Sequence, residues 1–172
     1  MWGKKDTDAE VRDGLITLFP RLWRYSLVLT GNKDRADDLA QAVCLRALEK
    51  SGQYQAGTHL DRWLFRMTQR LWFNELRKQA VRTGGGLTPI EEVDLPDSKA
   101  DPETNLLGRE VLMGVMALPE AQRTVVLLAY VEGYKYREVA EILDVPIGTV
   151  MSRLATAREK LAGEFGQESK AG

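Results

Sequence analysis

Arg62, Arg66 and Arg70 step by four along the chain and Arg77 follows seven residues later, with Trp63 and Phe73 among them. On one helix these four guanidinium groups fall within about one quarter of the circumference. Such a stripe suits single-stranded nucleic acid. Arginines track phosphates, while rings or guanidinium planes stack on unpaired bases at about 1–3 kcal/mol per base. The competing account is a solvated amphipathic helix whose aromatics are core, a role Trp63 partly shares. A second set, Thr149, Ser152, Arg153, Thr156 and Lys160, would share the outer face of another helix. These hydroxyl and cationic groups can meet base edges and phosphates in a major groove, with Arg158 on the flank and better placed for the DNA backbone. A third set is the acid pair Asp37-Asp38, which in the first turn of a helix contributes about 0.3–1 kcal/mol per residue through the helix dipole without any partner.

Catalysis has no comparable constellation. The chain of 172 residues holds one His and one Cys. With no Gly-rich phosphate loop and no metal-ligand spacing, there is no nucleophile and base to assemble, and neither an enzyme nor a cofactor is expected. His59 reads as a polar loop residue. Cys44, between Val43 and Leu45, reads as a small buried hydrophobe and cannot form an intramolecular disulfide. The apolar runs Val125 to Val131 and Val111 to Leu118 are far shorter than the roughly 20 residues a membrane span requires, and the N-terminus lacks an apolar targeting segment, so a cytoplasmic protein is expected. Charge is balanced overall at 24 Lys plus Arg against 25 Asp plus Glu, but it is unevenly placed. Residues 62–82 carry six basic side chains against Glu75, whereas residues 83–110 carry seven acids against Lys99 and Arg109.

The elements that must position these groups are helical. Residues 82–101 contain Gly84-Gly85-Gly86, Pro89 and Pro96 without sustained periodicity and read as a linker, leaving helical halves at 8–81 and 102–165. As a flexible coil, that linker would hold its ends roughly 25 Å apart. In the first half, Val11, Leu15, Leu18, Leu22, Tyr25 and Leu29 recur at helical spacing, and Pro20 is expected to kink or restart the helix. Thr30-Gly31-Asn32 ends it. A second helix is expected from an Asp34 N-cap to about Lys50, with Leu39, Val43 and Ala47 inward. Loop signals run from Ser51 to Thr58. A third helix, about 58–80, is expected to bury Leu60, Leu64, Met67 and Leu71. In the second half, helices are expected at about 102–117, 119–131, 136–143 and 148–164. No segment alternates like a strand, so the fold class is all-α.

The last two helices are joined by Asp144-Val145-Pro146-Ile147, which is helix-turn-helix spacing. Val139, Ala140 and Leu143 face Val150, Leu154 and Leu161 across it. An ordinary helical hairpin with a solvated face fits the same pattern. The run Leu118-Pro119-Glu120-Ala121-Gln122-Arg123, then Gly133 to Leu143 and Val145 to Leu154, resembles region 4 of extracytoplasmic-function (ECF) sigma factors of the sigma-70 family. Asp37-Asp38-Leu39-Ala40-Gln41 leading into Leu45-Arg46-Ala47-Leu48, with Tyr54 to Leu64, resembles region 2 of the same family. The wording is most similar to alphaproteobacterial members, including the general-stress type.

The resemblance covers about residues 10–81 and 104–163. It implies a promoter-specificity subunit that binds core RNA polymerase through the beta-prime clamp helices and the beta flap, together with promoter DNA. Asp38, Leu39 and Gln41 would contact the polymerase. Gln55, Thr58, His59, Arg62, Trp63, Arg66, Arg70 and Arg77 would hold the melted minus-ten strand, with one base extruded into a pocket formed by residues 55–61. Thr149, Met151, Ser152, Arg153, Thr156 and Arg158 would lie at duplex minus-thirty-five DNA. Met151 and Thr156 depart from basic residues common there, and Ala42, Arg70 and Asn74 depart from the usual residues of region 2. The family is commonly held inactive by an anti-sigma factor, so such a partner is implied. Two rival readings are a sigma-like mimic that sequesters an anti-sigma factor, which would tolerate charge reversal of Arg66 and Arg70, and a dimeric helix-turn-helix repressor, which would footprint a palindrome without polymerase.

Overall fold

A computed structural model describes residues 2–84 and 102–168, with side chains described from 7 to 84 and from 110 to 163. The chain divides into two units, residues 1–92 and 93–172. Among the described residues every regular element is helical. The first unit contains α1 (Trp2–Thr30), α2 (Lys33–Glu49), a 3-10 turn at Ser51–Gln53, and α3 (Leu60–Thr83). The second contains α4 (Pro102–Ala117), α5 (Glu120–Val126) continuing into a π-helical turn at Leu127–Val131, α6 (Tyr136–Leu143) and α7 (Ile147–Glu168).

In the first unit α1, α2 and α3 pack mutually around Val11, Leu22, Tyr25, Leu29, Val43, Leu64 and Phe65, all nearly inaccessible to solvent. Burial of such side chains contributes about 1.5–3 kcal/mol apiece relative to exposure. Tyr25 meets Phe65 edge to face at 5.0 Å and donates its hydroxyl proton to Gln69 Oε1 at 2.7 Å, so the polar tip of a fully buried ring is satisfied. Pro20 does not restart the first helix: α1 runs through it. Pro20 and Ile16, four residues before it, lie on the exposed face, where water can satisfy the carbonyl that loses its helical partner.

The N-cap of α2 is Asn32 rather than Asp34. Its side chain accepts from Arg35 N at 2.9 Å, and left-handed Gly31 (φ 66°) reverses the chain just before it. The buried face of α3 is turned from the expected one: Leu64, Phe65, Thr68, Gln69 and Trp72 are inside, whereas Leu60, Met67 and Leu71 are half-buried. Satisfied polar groups explain the difference. Thr68 donates to Leu64 O and Gln69 accepts from Tyr25, which lets two polar residues occupy core positions. The helix extends to Thr83 and is closed by Gly84 in the left-handed conformation (φ 69°), so it enters the segment read as a linker. The rest of that segment, 85–101, lies outside the described residues.

In the second unit α5, α6 and α7 bury Val125, Leu128, Val139, Ile142, Val150, Leu154 and Ala157. Ala157 takes the inward position expected of Leu161, which is half-buried. Glu138 accepts from Lys135 N at 2.8 Å to cap α6. Asp144 then adopts φ 54°, ψ 50°, and the N–H groups of Asp144 and Val145 both reach back to Ala140 O, closing α6 before Pro146 opens the way into α7.

Candidate nucleic-acid interface

The short connection from α2 to α3 places a loop beside the first turns of α3. Tyr54 is buried, and its ring lies 5.4 Å from that of Trp63 at an interplanar angle of 48°. Gly57 needs its positive φ of 75°, and Thr58 Oγ1 donates to Gln55 O at 2.6 Å, which folds the loop onto itself. Beside it lies a groove of about 600 Å³. Among the residues expected at the minus-ten strand, Gln55, Thr58, His59, Arg62, Trp63, Arg66 and Arg70 all line this groove. Arg77 does not, and Phe73 also lies outside it. Arg77 stands about two turns beyond Arg70, some 10 Å further along α3.

The groove also holds residues that the linear pattern missed. Arg46 and Lys50 of α2, four apart, join the arginines of α3, and Tyr54 and Asn74 complete the wall. Arg46, Lys50, Arg62, Arg66 and Arg70 therefore line one concavity that contains no carboxylate. Arg46 keeps only a weak exposed pairing with Glu49 at 3.6 Å. The available signal was the Arg46–Lys50 spacing, but nothing local says that this edge of α2 meets α3. Cations from α2 and α3 with the Tyr54–Trp63 pair among them can hold phosphates and stack a base together.

The outer face of α2 divides the expected polymerase contacts. Asp38 and Gln41 are exposed, whereas Leu39 is buried and packs inside the bundle. Leu45 and Leu48, at 65% and 45% exposure, share the face of Asp38 and Gln41 and leave apolar area exposed there, whereas Leu39 does not. Asp37 is committed internally, accepting from Trp23 Nε1 at 2.5 Å. Cys44 is half-buried and burial pushes its thiol pKa up.

On α7, Met151 and Ser152 are exposed, and Thr149, Arg153 and Thr156 are half-buried. Ser152 Oγ donates to Thr149 O at 3.1 Å and Thr156 Oγ1 to Ser152 O at 3.0 Å, so both hydroxyls keep acceptor lone pairs outward. Arg158 is exposed and donates from Nη1 to Tyr130 Oη at 2.9 Å, with Tyr136 hydrogen-bonded beside it. Lys160 is exposed. Glu120, at the start of α5, faces the charges of Arg123 and Arg153, yet burial dominates and raises its pKa. Arg123 is buried, donates to Leu118 O at 3.1 Å, and has its pKa lowered by desolvation. Among the described residues there is no cluster of His, Cys, Asp or Glu able to hold a metal ion, and no helix is long and apolar enough to cross a membrane.

Family models match both units, sigma-70 region 2 over residues 16–82 and sigma-70 region 4 over residues 109–161. The ECF RNA polymerase sigma factor EcfG of Rhodopseudomonas palustris is 32% identical over 161 residues, spanning 91% of this chain and 84% of that protein. SigW of Bacillus subtilis, another ECF sigma factor, is 27% identical over 172 residues, covering 92% and 89% of the two chains. The fold is shared with the sigma factor RpoE of Bartonella quintana, solved in complex with the anti-sigma factor NepR, at a TM-score of 0.75 and 23% identity over 88% of this chain and 94% of that one. It is also shared with CnrH, solved with the cytosolic domain of CnrY, at a TM-score of 0.60 and 18% identity over 95% and 97%. Both halves match in order, and the match to EcfG runs through nearly the whole chain, so the protein belongs to the ECF sigma factors of the sigma-70 family, non-catalytic factors of transcription initiation.

Proposed function

We propose that this sigma factor holds the melted minus-ten strand in the groove between α2, α3 and the 54–59 loop, and reads duplex minus-thirty-five DNA with α7. The observation that carries this reading is the groove itself: five cations, no carboxylate and the Tyr54–Trp63 pair around about 600 Å³. Residues 8–81 form the unit that docks on core polymerase and takes the single strand, and residues 102–165 form the unit that binds the duplex. The beta-prime clamp helices meet α2 through Asp38, Gln41, Leu45 and Leu48, and the beta flap meets the second unit. An anti-sigma factor that covers these polymerase-binding faces keeps the protein inactive in the cytoplasm; complexes of RpoE with NepR and of CnrH with CnrY support such a partner.

Thr149, Met151, Ser152, Arg153 and Thr156 meet the major groove, and Arg158 must exchange its Tyr130 contact for a phosphate. Fewer cations on this face make its binding weak in isolation. Joining two weak contacts on one chain raises the effective concentration of the second to the order of mM, so promoter affinity belongs to the holoenzyme.

The test is run-off transcription and permanganate footprinting with core polymerase and the double variant R66E/R70E. Promoter opening should fall by at least tenfold while affinity for core polymerase stays within about twofold, because the arginines lie in the groove and not on the outer face of α2; each lost phosphate contact should also remove about 0.7 from the salt slope of strand binding. Normal opening by R66E/R70E would refute the groove's role, whereas failure of both the parent and R66E/R70E to open any promoter, with anti-sigma binding kept by both, would favour a mimic that only sequesters an anti-sigma factor.

A further inference from the structure

The loop that rims the cationic groove is fastened by α1, from outside the groove. The Glu10 carboxylate accepts from the Tyr54 hydroxyl at 2.8 Å and from Gly57 N–H at 3.3 Å. Asp8, half a turn earlier, accepts from Ser51 Oγ at the start of the same connection. Below the loop, Gly14 lets α1 lie against the first residue of α3, since a Cβ there would come within 2.1 Å of Leu60 Cδ2. Arg21 pairs with Asp61 at 3.5 Å, one residue further into α3. From Ser51 to Asp61 the connection is thus held at both ends and in the middle by α1, with Glu10, Gly14 and Arg21 on one face of it. Asp8 and Glu10 both precede residue 16, where the region 2 match begins.

Glu10 makes the decisive pair of contacts. Tyr54 carries a single hydroxyl proton, and its oxygen lies 3.0 Å from Thr58 O as well as 2.8 Å from Glu10. The carboxylate is the stronger acceptor, because a charge-assisted bond is about twice as strong as a neutral one. Burial and the neighbouring Glu10 both push the Tyr54 pKa up, so the phenol stays a donor. Gly57 sits at the apex with positive φ, and its N–H finds Glu10 alone among side chains. Without Glu10 that N–H is left to water, Tyr54 falls back on Thr58 O within the loop, and the middle of the rim keeps only the Tyr54–Trp63 ring contact with the bundle. A rim that has lost both hydrogen bonds to α1 samples more conformations, and a pocket wall that moves discriminates bases poorly.

We propose that Glu10 is a specificity-positioning residue, which fixes the 54–59 loop through Tyr54 and Gly57 and so sets the base preference of the pocket; this inference rests on the groove receiving the minus-ten strand. Glu10 touches no DNA. Its effect appears as a loss of choice among bases, with the grip on polymerase and on the duplex element retained.

The experiment uses holoenzyme assembled from core polymerase and the full chain, transcribing a promoter library randomised separately in the minus-ten and minus-thirty-five elements, with the transcripts sequenced. E10A should flatten the minus-ten base preference by about tenfold, the scale of one hydrogen bond to a charged group. Preference at the minus-thirty-five element and affinity for core should be unchanged. E10Q, which keeps an acceptor oxygen, should recover most of the discrimination. Y54F, which keeps the ring and its contact with Trp63, should lose part of it and carries the test should E10A fail to fold. A wild-type minus-ten profile in E10A or Y54F, or an equal loss on every library member, would overturn the inference. R66E/R70E in parallel separates the two ideas: if that variant opens promoters normally, the groove reading fails; if it is defective while E10A keeps its selectivity, only the role of Glu10 fails.

Discussion

Arg66 and Arg70 were legible because a helix repeats its faces every three to four residues, and basic residues at that period share a face whatever else the chain does. Their partners Arg46 and Lys50 were not, since the two sets meet only when α2 and α3 pack, and that adjacency is tertiary. The same limit explains Leu39. Its type suits an interface, but its phase on α2 points inward, while Leu45 and Leu48 take the outward positions. Glu120 shows a half-buried charge acting against the fold. Burial raises its pKa in spite of Arg123 and Arg153, so the folded state binds a proton more tightly than the unfolded chain does. Its contribution is therefore fully present below the unfolded carboxylate pKa and is lost as pH rises through the folded value. E120Q should melt at a higher temperature than the parent at pH 7 and at the same temperature near the acid end of the carboxylate range. A pH-independent difference in thermal melts would show that the charge of Glu120 is not the cause.

Helix existence and order followed from apolar periodicity, and the segments expected as helices are found as α1 to α7, with the segment expected at 119–131 ending in a π-helical turn. Phase was less accessible. On α3 an apolar-only rule selects Leu60, Leu64, Met67 and Leu71, but the bundle turns Thr68 and Gln69 inward because Leu64 O and Tyr25 satisfy them. Caps showed a similar competition: Asp34 has the right chemistry for an N-cap, yet Asn32 follows left-handed Gly31 and is the residue placed to accept from Arg35 N. The turn between α6 and α7 gives a test at this scale. Asp144 holds φ 54°, a conformation that costs most L-residues about 1–2 kcal/mol and that Asp tolerates better than β-branched residues do. D144V should lower stability by about that amount, whereas D144G should leave it equal or slightly higher, by calorimetry. Equal melting of D144V and the parent would mean that the turn is not held in this conformation.

The whole molecule consists of two helical units, each with its own core, and the account assigns each a separate piece of promoter DNA. Neither surface needs to be strong. The first unit supplies a cationic groove with an aromatic pair in its lining, and the second supplies a helix whose outward groups are hydroxyls, cations and one methionine. Sequence resemblance carried both roles further than spacing alone could, because helix-turn-helix spacing fits many proteins, while an ordered pair of region 2 and region 4 matches fits one family. What resemblance could not supply was the local apparatus around the groove: the Arg46–Lys50 wall, the apolar outer face of α2, and the hold of Glu10 on the loop. The most direct measurement is site-specific photocross-linking in an open promoter complex, with a photoreactive thymidine analogue placed singly through the non-template minus-ten strand and the attached peptides identified by mass spectrometry. The account predicts cross-links confined to peptides from residues 46–74, lost in R66E/R70E. Cross-links that fall elsewhere on the chain, or that persist unchanged in that variant, would contradict it.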